Sequence, residues 1–197
     1  DPYPYINSNI LGHLNMLELA KKLNVKKFIY ASTSSVYGEN KKLPFSIHDR
    51  TDNPVSLYAA TKKSDEVITE CYSHSFNMKC IGLRFFTVYG PWGRPDMATF
   101  IFTKRIIEKK KIKIFNFGNM KRDFTYIDDI VDGIYGSIKS NVKSLHKIYN
   151  LGNNRSEDLG DFVQVIEKSL GIKAKKNLLP HQIGDVKKTF ADIDESK

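Results

Sequence analysis

Tyr58 and Lys62 are the residues of this sequence whose types and spacing best suit proton transfer. They stand four positions apart, so they share one face if the segment between them is helical. A lysine ammonium beside a phenol favours the phenolate and lowers a pKa that starts at about 10. The pair is therefore a candidate general base at neutral pH.

Spacing alone does not single out this pair. Tyr37 with Lys41 and Tyr135 with Lys139 repeat the same interval. The first of these pairs falls in a predicted loop that contains glycine, and the second has no hydroxyl-rich strand end shortly before it. Context therefore favours Tyr58.

Three consecutive hydroxyl residues lie at the end of the predicted strand that comes before the helix of Tyr58. Thr33, Ser34 and Ser35 follow the apolar run KFIYAS, which predicts a buried strand. Their hydroxyls can hydrogen-bond a sugar or alcohol oxygen. The same residues also suit a turn or a helix cap, and the sequence leaves both interpretations open.

The elements that position these residues alternate between helical and strand periodicity, which is typical of an α/β domain. Helices are predicted over residues 6–23, 56–76, 99–110, 127–140 and 159–170, and strands over 27–32, 79–86, 112–115 and 146–151. Helices between strands favour parallel crossovers, and open parallel sheets bind ligands beyond the carboxyl ends of their strands. This rule points to residues 33–35 and 87–89.

Composition excludes several classes of protein. Apolar residues make up 41% of 197 residues, enough for a core, and no run of 18 apolar residues predicts a membrane span. Two cysteines are too few for a disulfide scaffold, and the five histidines are dispersed, so no metal is expected. The opening residues contain neither a basic leader nor an apolar core, so the cytoplasm is the expected location.

The net charge of +9 suits anionic partners such as nucleotides, nucleic acids or phosphorylated metabolites. Most lysines are nevertheless scattered in pairs, as on solvated faces and at helix ends. A nucleic-acid partner is therefore not expected.

Several segments together carry a family resemblance. They are Ser8-Asn9-Ile10, residues 30–38 (YASTSSVYG), residues 58–62 (YAATK), residues 83–97 (LRFFTVYGPWGRPDM), residues 122–130 (RDFTYIDDI) and Gly184-Asp185-Val186. With them the chain resembles the extended short-chain dehydrogenase/reductases, specifically the NAD-dependent epimerases and dehydratases. Within that family it is most similar to the UDP-glucuronate 4-epimerases.

The resemblance implies a mechanism that passes through a transient 4-keto sugar. Tyr58 would take the proton of the sugar 4-hydroxyl, Lys62 would hold the nicotinamide ribose of NAD, and Thr33 would hydrogen-bond the reacting oxygen. The resemblance also places Asn9, Ser32 and Phe85 at the cofactor, with Phe85 against the nicotinamide.

Further residues are implied for the nucleotide sugar. The resemblance assigns Arg122, Gln182 and Asp185 to the UDP moiety, and Ser34, Ser35, Thr87 and Arg94 to the sugar. A cation opposite a carboxylate is what a uronic acid needs. A surface ion pair with Asp123 is the alternative for Arg122, and a structural role in its loop is the alternative for Arg94.

The sequence departs from the family pattern at Gln182, where some relatives carry an arginine. It also contains no GxxGxxG turn of the kind that receives a pyrophosphate at a helix N-terminus. The expected fold is accordingly an incomplete Rossmann-like parallel sheet with a small carboxyl-terminal substrate-binding region. Residues 1–90 would form the catalytic part of the NAD-binding domain. Residues 91–197 would mainly bind nucleotide sugar and return segments to the sheet.

Three functions stay open at this point. The first is a 4-epimerase, expected as a homodimer without nucleic-acid or membrane partners and active in polysaccharide biosynthesis. The second is a sugar-nucleotide dehydratase or decarboxylase. Such relatives usually carry an acid where this sequence has Ser34 and Ser35, which favours epimerisation. The third is a fragment that binds nucleotide sugar without turnover.

Overall fold

The structure of the chain, a computed structural model, describes residues 1–182 and 186–197. Its helices are, in chain order, α1 (Tyr3–Tyr5), α2 (Gly12–Lys22), α3 (Leu57–Phe76), α4 (Ala98–Ile107), α5 (Ile127–Lys139) and α6 (Leu159–Leu170). Its strands are β1 (Phe28–Thr33), β2 (Cys80–Phe85), β3 (Thr87–Tyr89), β4 (Ile112–Ile114), β5 (Lys121–Arg122), β6 (Phe124–Tyr126), β7 (His146–Leu151), β8 (Glu157–Asp158) and β9 (Lys176–Leu178).

Three parallel strands form the central sheet in the order β1–β2–β7. Their register sets Thr33 opposite Phe85, and Phe85 opposite Leu151. The carboxyl ends of all three strands therefore lie along one edge. The third strand of this sheet, β7, comes from the second half of the chain. The division into two regions at residue 90 stays a prediction.

Apolar side chains cover both faces of the central sheet, as in other parallel sheets that are buried between helices. Cys80 packs in a cluster with Leu17 of α2, whereas the next residue, Ile81, packs with Ile130 of α5. Burying each aliphatic side chain of this kind contributes about 1.5–3 kcal/mol. This packing holds α2 and α3 on one face and α5 on the other.

Helix α3 begins and ends at polar residues. The Ser56 hydroxyl accepts a hydrogen bond from the Ala59 N–H at 3.1 Å, which caps the first turn. Asn77 ends the helix in the left-handed conformation with φ 53°, a conformation that asparagine tolerates better than most residues. The cap fixes the position of Tyr58 within the first turn of the helix.

The first helical stretch starts three residues earlier than predicted, and part of it is a π-helix instead of an α-helix. Residues Ile6–Leu11 form a π-helix between α1 and α2, and the Gly12 N–H bonds the Asn7 carbonyl five residues back. Proline at position 4 fits the first turn, since an N–H there has no intrahelical partner. The π-helix carries Asn9, and such segments often occur at functional sites.

A second apolar core lies beside the central sheet. Phe102 and Ile106 of α4 pack against Ile112 of β4 and against Val163 and Ile166 of α6. Short strand pairs surround this core: β4 with β9 and β3 with β6 are parallel, and β5 with β8 is antiparallel. Within the described residues, no helix is both long and apolar enough to cross a membrane.

Candidate active site

A cleft of about 720 Å³ opens at the carboxyl edge of the central sheet. Its walls come from the ends of β1 and β2, the first turn of α3, the strand β3 and the loop of residues 90–97. Small-molecule sites usually have volumes of roughly 300–1,000 Å³. The cleft therefore has both the size and the place of a ligand site in an open parallel sheet.

The cleft brings together a large part of the predicted site. The predicted residues that line it are Ser32, Thr33, Ser34, Ser35, Tyr58, Phe85, Thr87 and Arg94. Among the described residues, Asn9, Lys62, Arg122 and Gln182 lie outside this lining. Asp185 lies outside the residues that the structure describes.

The strand-end hydroxyls serve as a cap and also face the cleft. Thr33 accepts a hydrogen bond from the Ser35 N–H at 3.2 Å and so caps the 3₁₀ turn Ser34–Tyr37. The Thr33 and Ser35 hydroxyl oxygens lie 3.3 Å apart. The predicted cap is therefore confirmed, and the three residues lie at the cleft wall; sugar binding by their hydroxyls stays a prediction.

Tyr58 is partly open to the cleft. Its side chain is 37% exposed, and the ring of Tyr5 lies 6.3 Å away between centroids. Tyr5 also lines the cleft, and sequence reasoning missed it. The aromatic neighbour restricts the Tyr58 ring, while its phenol stays accessible to a ligand.

Lys62 lies one turn further along α3, in a more buried position. Its Nζ donates to Asp65 Oδ2 at 2.6 Å, and the lysine and aspartate side chains are 13% and 0% exposed. Asn9 of the π-helix donates through Nδ2 to the Thr61 hydroxyl at 2.9 Å. Asn9 and Lys62 are thus each held by a residue of α3, the helix whose first turn carries Tyr58.

A buried ionic network that sequence reasoning missed lies beneath the strand ends. Arg84 of β2 binds Glu66 of α3 through two hydrogen bonds, Nε to Oε1 at 2.8 Å and Nη2 to Oε2 at 2.9 Å. Ser32 donates to Glu66 Oε1 at 2.6 Å. The Ser32 hydroxyl is therefore engaged with the network, although the residue lines the cleft. A lone arginine within the apolar segment KCIGLRFF was the signal for this network.

Charge pairing outweighs burial in this network. Burial disfavours the charged carboxylate of Glu66, but the Arg84 hydrogen bonds outweigh this effect and hold the pKa of Glu66 below its usual range. Burial likewise opposes the charge of Arg84, while Glu66 raises the pKa of that guanidinium. Breaking such a pair by removing one partner is strongly destabilising. The network therefore ties α3, which carries Tyr58, to the central sheet.

Replacing Tyr37 with phenylalanine is expected to destabilise the fold by about 1–3 kcal/mol. The Tyr37 hydroxyl accepts from Arg84 Nη1 at 3.0 Å and donates to Asn150 Oδ1 at 2.6 Å. Phenylalanine keeps the ring but leaves both buried partners unsatisfied. Urea unfolding of Tyr37→Phe measures the loss. Tyr3→Phe, at an exposed phenol, should change stability by less than about 0.5 kcal/mol; equal effects would contradict the prediction.

The mouth of the cleft holds an exposed ion pair and an exposed indole. Arg94 Nε donates to Asp96 Oδ1 at 3.0 Å, and their side chains are 71% and 62% exposed. The hydrogen bond that Arg94 donates to Asp96 raises the pKa of Arg94. Trp92 is fully exposed and has a φ of 62°, an unusual value for a bulky residue. A cation and an aromatic ring thus face the entrance of the cleft.

Two described residues that are predicted for the nucleotide, Arg122 and Gln182, lie away from the cleft lining. Arg122 lies on β5, and its Nη1 donates to the carbonyls of Lys121 at 2.9 Å and Lys187 at 3.2 Å. Gln182 is exposed. Asp123, the alternative partner for Arg122, is buried and accepts from the N–H groups of Asn153 and Ala191. Among the described residues no group of three His, Cys, Asp or Glu could hold a metal ion.

Comparison with known proteins places this site in a family context. The sequence profile of the NAD dependent epimerase/dehydratase family matches residues 1–152. A UDP-glucuronate 4-epimerase of Arabidopsis thaliana is 49% identical over 209 residues, covering 98% of this chain and 48% of that protein. An uncharacterised protein of Methanocaldococcus jannaschii is 52% identical, covering the whole of this chain and 60% of its own length.

A solved structure has the same fold. The UDP-glucuronic acid 4-epimerase of Bacillus cereus, in complex with UDP-glucuronic acid and NAD, superposes with a TM-score of 0.92 at 37% identity. The match covers 98% of this chain and 61% of that one. The predicted Rossmann-like parallel sheet is thereby confirmed. The chain spans about half to three-fifths of the length of these relatives, and it belongs to the NAD-dependent epimerase/dehydratase family.

Proposed function

We propose that the protein is an NAD-dependent UDP-glucuronate 4-epimerase. The observation that carries this proposal is the meeting of Tyr58, the Thr33–Ser35 hydroxyls and Arg94 in one cleft. A base, hydroxyl donors and a cation are the groups that a uronic acid needs at its 4-hydroxyl and at its carboxylate.

Tyr58 is the proton-transfer group of this proposal. As phenolate it accepts the proton of the sugar 4-hydroxyl, and as phenol it returns a proton to the same oxygen. Thr33, at the end of β1, donates a hydrogen bond to that oxygen and fixes its position. The Ser56 cap of α3 and the network beneath it hold the base still while the sugar binds.

The residues of the cleft fit the nicotinamide end of NAD. The aromatic ring of Phe85 lies at the end of β2 and lines the same cleft as Tyr58, which gives the cofactor ring an apolar wall. Lys62, one turn after Tyr58 in α3, would hold the ribose hydroxyls. Asn9 and Ser32 would also contact the nicotinamide end of the cofactor. When bound, NAD supplies reversible hydride acceptance at C4, so that a 4-keto sugar forms and is consumed.

The sugar carboxylate is assigned to Arg94 and Thr87. Both line the cleft near its mouth, where a guanidinium can bind a carboxylate through two parallel hydrogen bonds. Ser34 and Ser35 would bind further sugar hydroxyls. Arg122, Gln182 and Asp185 are proposed for the UDP moiety.

Product analysis of the full-length gene product tests the proposed function. The protein is incubated with UDP-glucuronate and NAD, and the nucleotide sugars are separated and identified by NMR spectroscopy. UDP-galacturonate is the expected product. A 4-keto-6-deoxy sugar or a pentose would instead show a dehydratase or decarboxylase, and tight binding without turnover would show a binding module. Each of these outcomes overturns the epimerase proposal.

Trp92 should report substrate binding by its fluorescence. The chain has one tryptophan, and this indole is fully exposed at the cleft mouth. A nucleotide sugar seated in the cleft removes water from the ring, so a saturable blue shift of the emission is expected on titration with UDP-glucuronate. The Trp92→Phe variant supplies the background signal. Unchanged emission at ligand concentrations where calorimetry shows saturation would contradict the placement of the sugar.

Three wider assignments complete the proposal. A homodimer is proposed because Met16, Leu19 and Leu23 form an exposed apolar stripe at helical spacing. A cytoplasmic location suits two cysteines that are both free. An epimerised nucleotide sugar is a glycosyl donor, so polysaccharide biosynthesis is the proposed use of the product.

A further inference from the structure

A row of polar contacts joins α3 to the first helical stretch of the chain. Asn9 of the π-helix donates to the Thr61 hydroxyl at 2.9 Å, and His13 Nε2 of α2 lies 2.7 Å from the Thr69 hydroxyl. Between these two contacts lies Asp65, which is 0% exposed. Tyr58, Lys62 and Asp65 follow the i, i+4, i+7 spacing that places residues on one helix face.

Asp65 is a buried carboxylate with one strong partner. Its Oδ2 accepts from Lys62 Nζ at 2.6 Å, whereas Oδ1 has no hydrogen-bond partner among the described residues. A buried charge of this kind is costly unless it is paired. The ion pair with Lys62 therefore supplies the partner that this buried side chain needs.

The other charged groups around this pair do not replace Lys62. His13 of α2 faces Asp65, but burial lowers the pKa of His13, so its ring is neutral at neutral pH. Glu66, the next residue of α3, is bound by Arg84 of β2 and by Lys63. Arg94, whose charge reaches Tyr58 from the loop at the cleft mouth, is paired with Asp96.

We infer that Asp65 is a positioning residue for Lys62: its carboxylate anchors the ammonium and moderates the positive charge that Lys62 presents to Tyr58. This inference rests on the proposed function, in which Tyr58 is the base. An ammonium has three N–H donors. With one of them fixed on Asp65, the other donors point away from the carboxylate and stay available for the ribose hydroxyls of the cofactor.

The first test measures the ionisation of Tyr58 directly. Ultraviolet absorbance of tyrosinate is followed against pH in the full-length protein and in Asp65→Asn. Each titration is repeated in the same protein with Tyr58→Phe added. Subtracting the second curve from the first leaves the absorbance change of Tyr58 without that of the other tyrosines. Asparagine keeps an acceptor for Lys62 but removes the negative charge. Tyr58 should then ionise at a pH lower by about half to one unit, since the Lys62 charge acts unopposed.

The second test uses the pH profile of epimerisation. The acidic limb of kcat should move to lower pH in Asp65→Asn, in the same direction as the tyrosinate titration. Glu18→Gln is the matched control, because Glu18 forms an i,i+3 pair with Lys21 at 2.7 Å on the surface of α2. Removing that carboxylate also frees the Tyr72 hydroxyl, which donates to Glu18. Tyr72 is present in both members of each subtracted pair, so the Tyr58 difference titration and the limb should stay unchanged.

The outcomes separate the two proposals. An unchanged or higher ionisation pH of Tyr58 in Asp65→Asn overturns the inference, whatever the activity assay shows. A wild-type protein without epimerase activity overturns the proposed function only, because the absorbance titration needs no turnover. If a thermal scan shows that Asp65→Asn does not fold, Asp65→Ser provides the same comparison with a smaller neutral side chain.

Discussion

Replacing Tyr58 with phenylalanine in the full-length gene product should lower kcat for UDP-glucuronate epimerisation by about 10²–10⁴-fold, the usual contribution of general acid–base catalysis. The substitution removes the phenolic oxygen and keeps the ring that packs 6.3 Å from Tyr5. The first turn of α3 keeps its Ser56 cap, so the helix start is preserved. Steady-state kinetics with product detection by NMR measure the loss, and KM should change much less than kcat.

Tyr135→Phe is the matched control for this experiment. Tyr135 has a lysine at the same spacing, and Lys139 Nζ lies 4.2 Å from its ring centroid. This pair lies on α5, and Tyr135 is exposed and is not among the residues that line the cleft. Its replacement should leave kcat within a factor of about two. A Tyr58→Phe enzyme with nearly normal turnover would exclude Tyr58 as the base.

Much of the fold could be predicted because its long elements carry strong periodicity. The helix predicted over residues 159–170 and the strand predicted over residues 146–151 have the observed bounds. The strand β4 is predicted over residues 112–115, but β5, β8 and β9 are not, because each of them has only two or three residues, too few for a period to show. The helix start at Tyr3 was missed, although proline at position 4 suits a first turn.

The candidate site likewise contains residues that local sequence patterns predict and residues that only contacts across the fold reveal. Hydroxyls at a strand end and a tyrosine with a lysine four residues later are local patterns, and the structure brings Thr33 and Tyr58 to one cleft. Asp65 and Glu66 are buried only because of contacts made across the fold, Asp65 beneath α2 and Glu66 against Arg84. On sequence alone, the acids of a lysine-rich helix are typical of a solvated face.

Arg94 is the residue proposed to determine whether the protein prefers a uronic acid or a neutral sugar. In the free protein its guanidinium is held by Asp96, through Nε at 3.0 Å, in an exposed pair that contributes little to stability. A sugar carboxylate in the cleft would compete with Asp96 for the same donors. Replacing Asp96 by the sugar carboxylate as the partner of Arg94 is favourable where the cleft excludes more water than the loop surface does. Ion pairs strengthen as the dielectric constant falls.

Arg94→Ala should therefore raise the transition-state barrier for UDP-glucuronate by about 2–5 kcal/mol, the typical cost of removing one partner of a desolvated charged hydrogen bond. In kcat/KM this is a loss of roughly 30-fold to several thousandfold. UDP-glucose, whose C6 is a neutral alcohol, should lose much less. The ratio of kcat/KM for the two substrates measures the preference. A lower fraction of active enzyme changes both values by the same factor and leaves the ratio unchanged.

Arg50→Ala tests whether loss of an exposed arginine pair alone produces the effect. Arg50 bonds Asp52 at 2.8 Å with the same two-residue spacing, and it lies outside the cleft lining. The ratio of kcat/KM values should stay unchanged in this variant. Equal losses on both substrates in Arg94→Ala would make Arg94 a structural residue of its loop. The broader assignment as a nucleotide-sugar 4-epimerase would then stand without its uronic acid, since the roles proposed for Tyr58 and Thr33 at C4 do not depend on the group at C6.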